Sequence, residues 1–416
     1  MGLPATGPPG AGPLTPGPGD GGPDAVGDGD RPVRAYLDHA ATTPMAPEAV
    51  EAMLPFLTGA FGNPSGGHLE SRRARRAVDD ARQRVAASFA VDLGDVIFTG
   101  SGTESDNLAV VGGWESRAGS GNPPTALVCA AMEHHAVLTT CRWLARRTGA
   151  ELREVGTGKD GLVDLDALAE ACTPEVGLVS VMAVNNEIGT VQPLDQVATR
   201  VRSGSPDALF HTDAVQAVPW LDTAPLARWA DLVSISGHKF GGPKGIGALV
   251  LGPGVAIGPH IHGGGQERDR RSGTHNVAGI VSMAVALSAT ESTRPSTVAR
   301  VGALRDRLGD GILASVAGAV ETGDRSHRVA GSLHLRFAGV EAEALVVLLD
   351  RCGVSVSAGA ACSSGAVEVS HVLTSMGLPA EEAASGIRMS LGATTTEADI
   401  AHALAVVPGA VGQLRD

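Results

Sequence analysis

The sequence has no run of about 18 apolar residues, which excludes an ordinary membrane-spanning helix. Its start has neither the basic residues nor the continuous apolar stretch of a secretory signal, so the expected compartment is the cytoplasm. Cysteine is scarce: Cys129, Cys141, Cys172, Cys352 and Cys362 are the five in 416 residues. With an odd number and no CxxC pair or Cys/His spacing, no disulfide framework and no metal site are expected. A basic balance is also missing. The formal net charge of −13 speaks against direct nucleic-acid binding, which needs a basic footprint. Lysine is nearly absent. Lys159, Lys239 and Lys244 are the three, and every other basic side chain is arginine, so two lysines within one short segment stand out.

What is present divides the chain in three. Residues 1–30 are dominated by Gly, Pro, Asp and Ala and have no periodic apolar pattern. Such a segment buries too little surface to offset its ordering entropy and is expected to be disordered. From residue 31 to 277, short apolar runs alternate with amphipathic stretches. Val96–Thr99, Ala126–Ala130, Gly177–Val184, Ala208–Thr212, Leu232–Ser236 and Gly247–Leu251 read as strands. They are continuously apolar, as in a sheet buried on both faces. Glu48–Leu57, Leu69–Phe89, Glu104–Ser116, Ala136–Thr148 and Leu165–Ala171 read as helices. The alternation predicts an α/β fold with a mainly parallel central sheet. Residues 278–416 predict a smaller α+β domain, entered by helices near Ile280–Ala289 and Thr297–Ala314 and containing a strand at Gly331–Phe337.

Chemistry collects at the predicted strand ends. Ser234-Ile-Ser-Gly-His-Lys239 is an apolar strand running into a lysine and then glycines. That is where α/β sheets place ligands, and a buried ammonium there has a lowered pKa suited to Schiff-base formation. Ser236 and His238 beside it can bind a phosphate. The preceding strand ends in Asp213. An acid against a pyridine nitrogen is what pyridoxal 5'-phosphate (PLP) requires of its protein, because protonation makes the ring an electron sink. A helix cap or turn would account for either residue alone. Acid and lysine at two successive strand ends are far less expected by chance. Further strand ends offer amides at Asn185-Asn186 and imidazoles at His134-His135, and Gly100-Ser-Gly-Thr103 opens a helix whose N-terminus suits a phosphate. Cys362 lies in Ser357-Ala-Gly-Ala-Ala-Cys362-Ser-Ser-Gly, among small residues that suit a mobile nucleophile more than a packed thiol. Arg388 can clamp a substrate carboxylate in a bidentate fork. Cys129, Cys141, Cys172 and Cys352 read as packing residues.

Together these stretches resemble the cysteine desulfurases of the NifS/IscS type, within the class V aminotransferase-like PLP enzymes of fold type I. The resemblance rests on Tyr36–Pro44, Phe61–Ser65, Phe98–Asn107, Glu133-His134, Asn185–Gly189, His211–Gln216, Ser236–Gly247, Gly263–Arg268, Arg271–Thr274, Ala361–Ser364 and Ile387-Arg388, in family order. It implies PLP on Lys239, which also shuttles protons. It implies His134 stacked on the ring, Asp213 on the pyridine nitrogen, and Asn186 and Gln216 on the ring-hydroxyl side. Thr103, Ser236 and His238 would hold the phosphate, joined by Thr274 from the other subunit of a homodimer. Arg388 would bind the carboxylate of L-cysteine. Cys362 would take the sulfur as a persulfide, releasing alanine, for transfer to an acceptor protein such as an iron–sulfur scaffold or a tRNA-thiolation enzyme. His39, Gly102, Ser71 and Asp269 depart from the family pattern, and the first 30 residues have no counterpart in it. Another PLP enzyme of the same group, or a silent scaffold, are the alternatives; the products formed from cysteine separate them.

Overall fold

The computed structural model describes residues 34–119, 121–358 and 369–416. The expected disorder of residues 1–30 and the Cys362 stretch lie outside the described residues. The strands in chain order are β1 (Ala35–Tyr36), β2 (Val96–Thr99), β3 (Ala126–Ala130), β4 (Glu151–Val155), β5 (Val176–Ser180), β6 (Leu209–Asp213), β7 (Leu232–Ser236), β8 (Gly247–Leu251), β9 (Ala319–Glu321), β10 (Ser332–Phe337), β11 (Val354–Ser355) and β12 (Gly386–Ser390).

A seven-stranded sheet runs β2-β8-β7-β6-β5-β3-β4. β3 through β7 pair in parallel, while β8 lies antiparallel to both β2 and β7. Every residue of β2, β3, β5, β7 and β8 is buried, which is why these runs are apolar without alternation. The pleat still sorts them. Val128, Ala130, Ala248 and Val250 feed one core, and Leu127, Cys129, Leu249 and Leu251 feed the other. β4 was not expected from the sequence. As an edge strand it leaves Glu151 and Glu154 to solvent and carries no apolar run. The run at Gly177–Val184 outlasts its strand. The ladder ends at Ser180, but Val181 and Ala183 stay buried and donate their N–H groups to the His211 and Asp213 carbonyls.

The two helices expected near Ile280–Ala289 and Thr297–Ala314 are one, Val277–Ser315, which passes through Pro295. A proline removes one backbone bond and crowds the preceding turn, a cost of about 3 kcal/mol. Here both halves are anchored. Ile280, Met283 and Leu287 pack in the main core, and Val301, Leu304, Leu308 and Ile312 pack in a separate one. That separate core is covered by the antiparallel sheet β12-β10-β9 and holds Leu333, Leu335, Ile387 and Met389. The chain start joins it: β1 pairs in parallel with β11, and Ala35 and Leu37 are fully buried. Cys129, Cys141 and Cys172 are buried, as expected of packing residues. Cys352 is not: it lies exposed just past the helix Ala342–Arg351, where the helix end leaves the core.

Candidate active site

Because β5, β6 and β7 are parallel neighbours, their C-terminal ends lie side by side. Asp213 is the last residue of β6, and Lys239 closes the short 3-10 turn Gly237–Lys239 after β7. β3 delivers His134, the N-cap of the helix His135–Thr148. β2 delivers Ser101, whose Oγ caps the next helix by accepting from the Glu104 N–H at 3.1 Å. A cavity of about 440 Å³ collects the result: Lys239, Asp213, His134, Thr103, Asn186, Gln216, Ser236, His238 and Arg388 all line it. Thr274 does not. It is exposed, on a loop outside this cavity.

Lys239 Nζ donates to the carbonyls of Ala40 (2.5 Å) and Ala41 (2.9 Å). Burial lowers its pKa to about 8, helped by the Arg388 charge and opposed by Asp213 and Asp38. Gln216 Nε2 donates to the same Ala40 carbonyl at 2.9 Å. Asp213 Oδ1 accepts from the Val215 N–H at 2.8 Å; burial raises the carboxyl to about 6, against that bond and the Lys239 charge. His134 Nδ1 accepts from the Ala136 N–H at 3.1 Å. The residue lines the cavity and is solvent-exposed. Burial, then the Lys239, His135 and His371 charges, lower its pKa to about 4, so the ring is neutral. His238 is also lowered to about 4, by burial and then by Lys239 and Lys244, and its Nδ1 lies 3.2 Å from Thr42 Oγ1. Arg388 is held from two sides: Nη2 donates to Asp38 Oδ1 at 2.8 Å and Nη1 to the Asn186 carbonyl at 3.0 Å.

These features suit PLP. Above a pH of about 6 Asp213 is a buried anion facing the cavity, which a ring N–H⁺ would neutralise. The helix start at Gly102 sits against the end of β7 so closely that a Cβ there would fall 2.9 Å from Val215 Cγ2 and 3.1 Å from Ser236 Cβ. Backbone N–H groups at such a start favour phosphate. Asp38 escaped the sequence reading. It sits in the Tyr36–Pro44 stretch but in no strand or helix, so no periodicity marked it. Asp106, Glu133 and His211 escaped as well, because their burial and contacts are tertiary.

The family described as Aminotransferase class-V matches residues 35–402. An "IscS-like cysteine desulfurase" of Mycobacterium tuberculosis is 44% identical over 385 residues, 92% of this chain and 97% of that protein.

The chain belongs to the class-V aminotransferase family.

It is also similar to a "Cysteine desulfurase" of Gluconacetobacter diazotrophicus, 40% identical over 92% of this chain and 94% of that protein. Among solved structures, a "NifS-like protein" superposes with a TM-score of 0.85 at 31% identity, covering 92% of this chain and 100% of that one. A structure described as "SspA in complex with cysteine" superposes at 0.75 and 30% identity, covering 87% and 100%. The class-V aminotransferases and the cysteine desulfurases among them are PLP enzymes, and the fold of this chain is theirs.

Proposed function

We propose that this chain is a cysteine desulfurase that binds PLP in the 440 Å³ cavity and takes sulfur from L-cysteine. The observation that carries the reading is the pairing of Lys239 and Asp213 at adjacent parallel strand ends, with Arg388 on the same cavity wall. When bound, the cofactor supplies a pyridine ring that withdraws electrons from the substrate carbon. The residues do the rest. Asp213 keeps a proton at the ring nitrogen. His134 would hold the face of the ring, and Asn186 and Gln216 would hold its hydroxyl side. Thr103, Ser236 and His238 hold the phosphate. Lys239, whose amine is free near pH 8, carries the cofactor and moves the substrate's proton. Arg388 receives the substrate carboxylate, with Asp38 compensating its charge beforehand. Cys362 accepts the sulfur: the substrate Cβ–S bond breaks, an S–S bond forms on Cys362, and alanine leaves.

Thr274 belongs in this reading to the phosphate site of the partner subunit of a homodimer, which fits its position outside its own chain's cavity. The persulfide then passes to an acceptor protein, an iron–sulfur scaffold or a tRNA-thiolation enzyme, in the cytoplasm. Incubation of the purified protein with PLP and L-cysteine tests the reading. Alanine and protein-bound sulfur should form in equal amounts, with the sulfur on the peptide containing Cys362. Amino-group transfer to a keto acid without sulfur release would replace desulfuration by transamination.

A further inference from the structure

The loop that carries Thr274 is fastened on both sides of it, although Thr274 itself is exposed. Before it, Arg271 Nε donates to Glu104 Oε1 at 2.6 Å and Arg271 Nη2 to Glu104 Oε2 at 3.2 Å. After it, His275 Nε2 lies 2.6 Å from Glu267 Oε1. Both carboxylates are tied in turn to β2 and the turn that follows. Glu267 Oε2 accepts the Phe98 N–H at 3.1 Å, and Glu104 Oε2 accepts the Gly100 N–H at 2.8 Å. Two more bonds hold the backbone between these fastenings. The Ser272 N–H donates to the Ile261 carbonyl at 3.0 Å, and the Gly273 N–H to Gln266 Oε1 at 2.9 Å.

The two fastenings are not equal. Glu267 has the Arg82 fork besides His275, whereas Arg271 is the one ion-pair partner of Glu104 among the described residues. The Arg271 and Glu104 side chains are 22% and 20% exposed, so their two-point contact is better shielded from water than a surface pair. Glu104 follows Thr103, which lines this chain's own cavity, but neither Glu104 nor Arg271 lines it. A free loop would lose its freedom each time it gripped a phosphate. A loop already ordered by folding avoids that loss and grips more tightly.

We propose that Arg271 is a positioning residue that acts across the subunit boundary: its fork on Glu104 fixes Thr274 for the cofactor phosphate held by the partner subunit. The inference rests on the homodimer and cofactor readings above. A single carboxylate, Glu104, then joins the Gly100–Thr103 turn of one site to the loop that completes the other.

PLP binding to the full chain tests the assignment. Arg271→Met should raise the PLP dissociation constant about tenfold, the loss of one hydrogen bond to a charged group. Glu104→Gln keeps an oxygen for the Gly100 N–H but gives up the fork. It should have the same effect, and the double variant should bind no more weakly than either single one. An unchanged constant in Arg271→Met overturns the proposal. A mixed dimer then assigns the effect to a subunit. Differently tagged Arg271→Met and Lys239→Ala chains are refolded together, and the dimer bearing both tags is isolated. Only the Arg271→Met chain keeps Lys239, so the visible cofactor band reads one site. That site receives Thr274 from a chain whose fork is intact, and its dissociation constant should return to the wild-type value. It should stay raised when the Lys239→Ala chain also carries Arg271→Met. A mixed dimer as weak as the Arg271→Met homodimer places the effect within one chain and overturns the proposal. Should Arg271→Met not fold, Glu104→Gln in the same pairing decides by the same outcomes. A wild-type chain with no visible band, or a monomer with full cofactor affinity, overturns the underlying readings and the proposal with them. A wild-type dimer that shows the band, with no recovery on mixing, overturns the proposal alone.

Discussion

At the scale of single residues, the active-site groups are tuned chiefly by the loss of water. Lys239 is the clearest case, with its pKa lowered from 10.5 to about 8 by burial. Two consequences follow. The rate of PLP reconstitution should climb through pH 8 and then level off, because the free amine is the nucleophile; stopped-flow absorbance measures this. In the cofactor-free protein, the folded state releases this proton before the unfolded state does, so stability rises with pH between about 8 and 10.5. Lys239→Met should abolish that component in denaturant titrations and also prevent the visible cofactor band, while Lys244→Ala should leave the band in place. Asp213→Ala removes one partner of a buried charge pair, an effect of roughly 3–5 kcal/mol. Its PLP retention on dialysis should fall by more than tenfold, and retention at the wild-type level would contradict the assignment.

At the scale of elements, the site depends on how closely backbones approach. Gly102→Val would drive a side chain into Val215 and Ser236, lifting the helix start from the end of β7. Cofactor affinity should drop, and the cofactor-free protein should lose about 1–3 kcal/mol in denaturant unfolding, because the contact is overpacked. The loop toward Thr274 is held differently. Glu267, Arg268 and Asp269 are consecutive left-handed residues, at φ 46°, 58° and 64°. Such conformations persist only when their surroundings over-determine them. Glu267 is gripped by Arg82 in a two-point fork at 2.6 and 2.7 Å, by His275 at 2.6 Å and by the Phe98 N–H at 3.1 Å. Burial would raise its carboxyl, but the bonds from His275 and Arg82 hold it down at about 2. Arg82→Met leaves that carboxylate without its fork and should cost about 3–5 kcal/mol in denaturant unfolding. A loss under 1 kcal/mol would show that the loop is held by other contacts.

At the scale of the whole molecule, the proposed homodimer makes each site a joint product. Lys239 of one subunit would meet the phosphate contact of Thr274 from the other. Purified Lys239→Ala and Thr274→Ala proteins, each impaired alone, should regain activity when unfolded and refolded together. A mixed dimer then contains one site in which both residues are intact. No recovery on mixing would place Thr274 outside a shared site. Exposed Leu54, Leu57 and Phe61, the last at 74% exposure, mark a face that such an association can cover.

Much of this protein was legible in its sequence. The strands of a sheet buried on both faces are continuous apolar runs, so β2, β3, β7 and β8 end where the sequence places them. Most residues that crowd the cavity lie at or just past the ends of β2, β3, β6 and β7, which run the same way and bring their C-terminal ends to one edge. The edge strand β4 carried no such signal, and Pro295 broke the apparent helix that burial in two cores keeps whole. Tertiary structure alone decided which polar groups lost their water and what they met instead. Asp38 reaches Arg388 across 350 positions of sequence, and Asp106 of the helix after β2, Glu133 of the turn after β3 and His211 in the middle of β6 come together. Hydrophobic pattern is local and periodic, so a sequence displays it. Desolvation and charge pairing depend on distance in space, which only the folded chain defines.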